Sequence, residues 1–244
     1  KTMRGARGFA RLFPWAAQVW SDEMRWILPL VFGIVGVAVL GSLGIWQMQR
    51  LAWKEGVIAD IEAHIQADPI ALPGEITPAE RYLPVEMTGR VGPEALRVLV
   101  SQKQVGAGYL VVSAFETREG RRVLLDRGFV RIEGAIPLGG EMRVVGNVHF
   151  PDERVSATPP NDEAKNIWFA RDVMRMAEVL GTEPVLVVAR RVEPGEAGIA
   201  PLPVDTTHIP NDHFGYAVQW FGLAVVWAAM TGYFLWRNRR TAKG

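Results

Sequence analysis

The sequence predicts an α+β protein: two transmembrane helices flanking an antiparallel, β-rich, open-barrel-like extramembrane domain with few helices of its own. Three observations carry this. Residues 27–46 and 216–236 are charge-free, apolar runs of 20 and 21 residues, and a helix rising about 1.5 Å per residue crosses a ~30 Å hydrocarbon core in about 20 residues. The stretch between them is dominated by short, β-branched segments punctuated by Gly, Pro, Glu and Asp. Only one clear helical period interrupts those segments.

The first run, ILPLVFGIVGVAVLGSLGIW, follows Arg25 and precedes Arg50. A signal-peptide core is shorter, about 7–15 residues, and no small-residue cleavage site follows here. The run therefore reads as a span whose helix continues through RLAWKEGVIADIEAHIQ until Pro69. The second run ends at Arg237, Arg239, Arg240 and Lys243, a basic stop. The resulting division is an N-terminal extension (1–26), a first span (27–46), an α+β domain (47–214), a second span (215–236) and a basic tail (237–244).

Charge sets the expected orientation. Residues 1–26 carry +3 and the tail +4, while the whole chain carries +1, leaving −6 for residues 27–236. Positively charged flanks stay on the cytoplasmic or matrix side. Both termini are expected there, with the domain in the periplasm or intermembrane space of a bacterial or mitochondrial inner membrane.

Within the domain, six segments read as strands: 81–91, 96–105, 108–116, 121–132, 142–150 and 184–192. Val105–Gly108 and Arg118–Gly120 read as hairpin turns. ARDVMRMAEVLG reads as a helix, with Val173, Met176, Ala177 and Leu180 on one face and Gly181 as C-cap. Residues 69–80 and 193–210 read as exposed loops. Arg118, Arg121 and Arg122 read as a solvated hairpin edge, since a net-acidic domain in this compartment does not bind nucleic acid.

Several chemistries are excluded. The chain has no cysteine, which removes disulfide exchange, thiolate copper transfer and covalent haem attachment. No G-x-S-x-G, Walker A or H-E-x-x-H motif occurs, so no enzyme activity is expected.

Four histidines remain. His64 reads as solvated, His149 as structural, and His208 lies in a proline-flanked loop. His213 stands at the lip of the second span, on one helical stripe with Tyr216, Ala217 and Trp220. Two readings stay open. One is an interfacial aromatic belt; the other is an imidazole ligand beside flat aromatic surfaces, suited to haem. The first span has a matching lip, where Trp46, Arg50 and Trp53 share one stripe and Gln47, Arg50 and Lys54 another. Glutamines are not needed for anchoring there, but they can hydrogen-bond the other span, and the cations can hold carboxylates.

Four motifs in order resemble the Surfeit-locus cytochrome c oxidase assembly proteins. LGIWQMQRLAWK resembles that family's signature after the first span, VLLDRGFV and NIWFARDVMRMA its two domain motifs, and NDHFGYAVQWFGLA its second-span motif. Arg131 departs from the pattern, which has proline there. The resemblance implies an assembly factor for haem-copper oxidases, acting around insertion of haem a into the catalytic subunit. Implied partners are that subunit, haem-a synthase and membrane lipid. It maps the proposed haem-iron ligand onto His213, with Trp46, Gln47, Arg50, Asn211, Tyr216 and Trp220 as neighbours. The alternative is a haem-independent scaffold for the nascent subunit.

Overall fold

The computed structural model describes residues 14–102, 106–207 and 209–241. Residues 1–13 of the extension, Val105 of the first hairpin turn, His208 and Lys243 lie outside them. The chain forms two compact units: one comprises residues up to Val57 together with Ile209 onward, the other Ile58–His208.

The first unit contains most of α1 (Pro14–Gln66) and all of α3 (His213–Thr241). Both helices are long and apolar enough to cross a membrane. Their outward faces carry exposed Phe32, Ile34, Val35, Val225 and Met230, as lipid-facing positions require. The helices run antiparallel. A Cβ placed on Gly33, Gly36 or Gly44 would collide with Thr231, Trp227 and the Phe221 ring respectively, so these glycines form a seam that admits the large α3 side chains. Small residues let membrane helices approach closely, where dispersion replaces a hydrophobic drive. Phe32 and Trp227 add a tilted ring contact at 5.3 Å.

The second unit is a five-stranded barrel. β2 (Pro84–Gln102), β3 (Gly106–Thr117), β4 (Arg122–Arg131), β6 (Leu186–Glu193) and β5 (Glu141–His149) pair in that order, and β5 pairs back onto β2. β1 (Ile70–Ala71) lies outside, parallel to β2. The α+β reading holds, with two refinements. The barrel closes, and β4 and β6 pair in parallel. The two expected strands 81–91 and 96–105 are one strand, bulged between Val91 and Ala95 at Gly92-Pro93-Glu94. The bulge turns β2 so that its first half pairs with β5 and its second with β3, which is what closure needs.

The barrel interior draws Val85, Phe115, Leu125, Val144 and Val187 from all five strands. The opposite faces of β4 and β6 are also covered, because Leu124 and Leu186 pack against Trp168 and α2 (Val173–Leu180). Burial on both faces explains why VLL and VLVVA are continuous apolar runs rather than alternating ones. α2 is as the sequence predicts. Met176, Ala177 and Leu180 are buried, Asp172 caps the N-terminus, and Gly181 supplies the left-handed C-cap at φ 63°.

The C-terminal end of α1 is held by the barrel. Asn147 Nδ2 on β5 donates to the Ile65 carbonyl at 2.9 Å and Arg190 Nη1 on β6 donates to it at 3.0 Å, satisfying a helix-end carbonyl that has no intrahelical partner. The expected solvated arginine edge is only partly so. Arg118 is exposed, but Arg121 forks onto Glu183 at 2.6 and 3.1 Å and also donates to the Pro73 carbonyl. Arg122 donates to Leu180 O at 3.2 Å, at the end of α2. Short polar side chains could not span those gaps, so the cations here pin loops.

Candidate functional site

The site lies within the helix-pair unit, where the end of the span in α1 meets the start of α3. Gln47 is nearly buried, 9% exposed, and its Oε1 lies 2.7 Å from His213 Nδ1. His213 is the first residue of α3 and is partly buried. One turn further along α3, Ala217 is 1% exposed, small enough to let the helices close at this level. Lys54 Nζ donates to the Pro210 carbonyl and so ties the entry to α3 back to α1. The Asn211 side-chain Oδ1 is buried with no hydrogen-bond partner among the described residues.

Of the residues predicted from sequence, the structure brings Gln47 and His213 into direct contact. Arg50 is exposed and stacks its guanidinium over the Trp53 ring, 4.0 Å from the centroid, as their shared stripe predicts. Trp46 and Tyr216 are half exposed, at 53% and 51%, and Trp220 is partly buried. Helical residues advance about 100° each. Measured from the contact faces of an antiparallel pair, Arg50, Lys54, Tyr216 and Trp220 all rotate to one flank, with Trp46 and Trp53 further round. The site is thus an imidazole pinned at the helix seam, next to a flank carrying cations and flat aromatic rings.

That inventory is suited to a haem: one imidazole nitrogen for iron, aromatic faces for the macrocycle, and cations for propionates. No group of three His, Cys, Asp or Glu side chains able to hold a bare metal ion occurs among the described residues. At the other end of the helix pair lies an open apolar cleft of ≈ 570 Å³, lined by Leu28, Phe32, Trp227, Met230 and Phe234 among others. The polar side-chain groups among its lining residues are the Thr231 hydroxyl, which donates to the Trp227 carbonyl at 2.8 Å, and the Trp227 indole N–H.

The other histidines follow the sequence reading where they are described. His64 is exposed on α1. His149 ends β5 and stacks on Tyr82, with ring centroids 6.0 Å apart. Burial, then the Arg171 guanidinium, depress it to about 4, and its Nδ1 has no partner. Sequence reasoning missed the glycine seam, although Gly33, Gly36 and Gly44 in one span are its signal. It also missed the buried pair of Asp126 and Arg171, 2.9 Å apart, whose members stand in two separate motifs. Arg171 spans from the segment before α2 to β4 and also forks onto Glu153 at 2.8 Å.

A family model described as the SURF1 family matches residues 34–225. Surfeit locus protein 1 of Xenopus tropicalis is 33% identical over an alignment covering 94% of this chain and 80% of the relative. The human Surfeit locus protein 1 is 30% identical, covering 87% and 76%. A SURF1-like protein of Rickettsia felis is 29% identical, covering 79% and 90%. The matched region contains both span lips and the whole barrel.

Proposed function

This chain belongs to the SURF1 family, and on that premise we propose that it is a membrane assembly factor for haem-copper cytochrome c oxidase that assists insertion of haem a into the catalytic subunit. It acts without catalysing a reaction. Haem a is its cargo, received at the lip of the helix pair from the synthase that makes it and passed to the nascent subunit. Both termini lie on the cytoplasmic or matrix side of the inner membrane, and the barrel lies on the opposite side.

The observation that carries this reading is the His213–Gln47 contact across the two spans. It fixes an imidazole at the end of the apolar helix pair, where a lipid-borne ring can reach it. His213 would hold the iron, Tyr216 and Trp220 would give the ring contact area, and Arg50 would hold a propionate. Lys54 supports the loop rather than the cargo, because its ammonium is engaged by Pro210. Asn211, with an unpartnered buried oxygen, can accept a hydrogen bond from an incoming group.

The test is the visible spectrum of the full chain co-produced with haem-a synthase. His213→Ala should hold markedly less haem at equal membrane abundance, with an altered axial-ligand spectrum in what remains. His64→Ala, exposed on α1, should match the parent. A cell lacking the gene and any second copy should still make haem a but carry less of it in the oxidase. Unchanged haem in His213→Ala favours the second reading, a haem-independent scaffold, for which the same contact serves only to join the spans.

A further inference from the structure

We propose that Gln47 is a positioning residue that holds His213 in its Nδ1–H tautomer and thereby presents Nε2, with its lone pair, as the nitrogen that ligates iron. This rests on the haem-cargo reading above and specifies how the site is set before cargo arrives.

The argument starts from the chemistry of the two groups. A glutamine Oε1 carries lone pairs and no hydrogen. Its approach to His213 Nδ1 at 2.7 Å is a hydrogen bond only if Nδ1 carries the proton. In a neutral imidazole the other nitrogen is then the acceptor, so Nε2 is the free donor to a metal. The tautomer with hydrogen on Nε2 would turn two lone pairs toward each other across the helix seam and leave the metal-facing nitrogen blocked. Imidazoles that bind metals are commonly held in this way, by an oxygen acceptor on the second ring nitrogen.

Placement supports the assignment. Gln47 is nearly buried against α3, where an unpaired amide would be costly, while neighbouring Gln49 is exposed. Ala217 below and the Lys54–Pro210 clamp beside it hold the two helices at the distance the bond needs. An interhelical hydrogen bond serving adhesion alone would be satisfied by either tautomer, given the corresponding amide orientation. The tautomer is therefore the property that separates positioning from adhesion.

The test uses the full chain in detergent micelles, free of haem, with 15N-labelled histidine, and His213→Ala to assign the signal. Long-range 1H–15N correlation should show His213 as the Nδ1–H form. Gln47→Leu, similar in size and apolar, should release it toward the Nε2–H form. Gln47→Glu, which keeps an acceptor, should retain Nδ1–H. With haemin then added, Gln47→Leu should bind on the order of 10-fold more weakly than the parent and show shifted axial-ligand bands in the visible and electron paramagnetic resonance spectra, while Gln47→Glu stays near the parent. An Nε2–H signal in the parent, with His213-dependent haemin binding intact, overturns the role of Gln47 and leaves the haem reading standing. An Nδ1–H signal without any His213-dependent haemin binding overturns the haem reading itself, and with it the assignment of Nε2 as a ligand.

Discussion

Arg127, on β4, and Glu196, in the loop after β6, form a two-pronged ion pair inside the barrel unit, with side chains 1% and 9% exposed. Arg127 Nε donates to Glu196 Oε2 at 2.9 Å, and Nη2 donates both to the other carboxylate oxygen and, at 2.9 Å, to the Pro137 carbonyl. One guanidinium thus holds two loops onto β4. This is the arginine of VLLDRGFV.

Arg127→Ala should destabilise the barrel by about 3–5 kcal/mol, because it leaves Glu196 buried and uncompensated. Replacing both partners, Arg127→Met with Glu196→Leu, should recover most of that loss, since no charge is left to desolvate. Denaturant midpoints of the parent and the two variants in micelles decide the matter. A double variant as weak as the single one would show that the stabilisation comes from the Pro137 contact instead.

The glycine seam gives a prediction about the spans. Gly36→Leu puts four carbons where the Trp227 indole packs. Overpacking of this kind costs about 1–3 kcal/mol in a core, and a helix pair in lipid can avoid it by separating. With no native cysteine in the chain, Gly33→Cys with Thr231→Cys should crosslink on mild oxidation, since those positions face each other. Adding Gly36→Leu should reduce that crosslink several-fold. An undiminished crosslink would mean that Trp227 moves aside and the seam is not needed.

The order of legibility in the sequence follows the range of the interactions. The two long apolar helices, the course of most strands and α2 depend on local period and caps, and these were readable; the two-residue β1 was not. Closure of the barrel depends on β5 meeting β2 and β6 meeting β4, pairings between segments far apart in sequence that no local pattern encodes. The merging of two strands at Gly92-Pro93-Glu94 was hidden because glycine and proline signal a break more often than a bulge. At the lip, the polar residues were visible because glutamine and histidine stand out against an apolar run. That Gln47 rather than Gln49 meets His213 was not, since the choice depends on how the helices rotate against each other.

His149 gives a pH prediction. Burial among Arg171 and Arg81, opposed only by Glu153, depresses its pKa from the ordinary 6.5 to about 4. The folded barrel therefore holds the neutral ring, while the unfolded chain takes up a proton below 6.5. Stability is fully present above pH 6.5, declines as pH falls toward 4, and stops declining from this group below that. The full loss is at most about 3 kcal/mol. His149→Phe keeps a ring against Tyr82 and removes the titration. Its stability relative to the parent should rise between pH 7 and pH 4.5, measured by amide hydrogen exchange in the barrel strands. Parallel pH profiles for the two proteins would assign the acid sensitivity to other groups.

The last prediction concerns topology, and the structure moves the expected point of attack. Residues 69–80 are less open than the sequence implies. Ile70 and Ala71 pair with β2, and Thr77 and Glu80 close a capping box. The loop after β6 is anchored as well, because Ile199 is buried and Ala200 exchanges two backbone hydrogen bonds with Phe129, at 2.8 and 2.9 Å. Residues 154–160 are mostly exposed and irregular; Val155 and Thr158 hydrogen-bond each other, and the half-exposed Arg154 reaches out to a 4.0 Å ion-pair contact with Asp172. Proteolysis needs backbone that opens cheaply, and Arg154 offers trypsin a cleavable bond there. Trypsin added to spheroplasts should therefore cut first after Arg154, while tags fused at both termini stay intact. In inside-out vesicles the tags should be removed and the barrel spared. The reverse pattern, with tags lost from spheroplasts and Arg154 protected, would invert the orientation that the basic flanks imply.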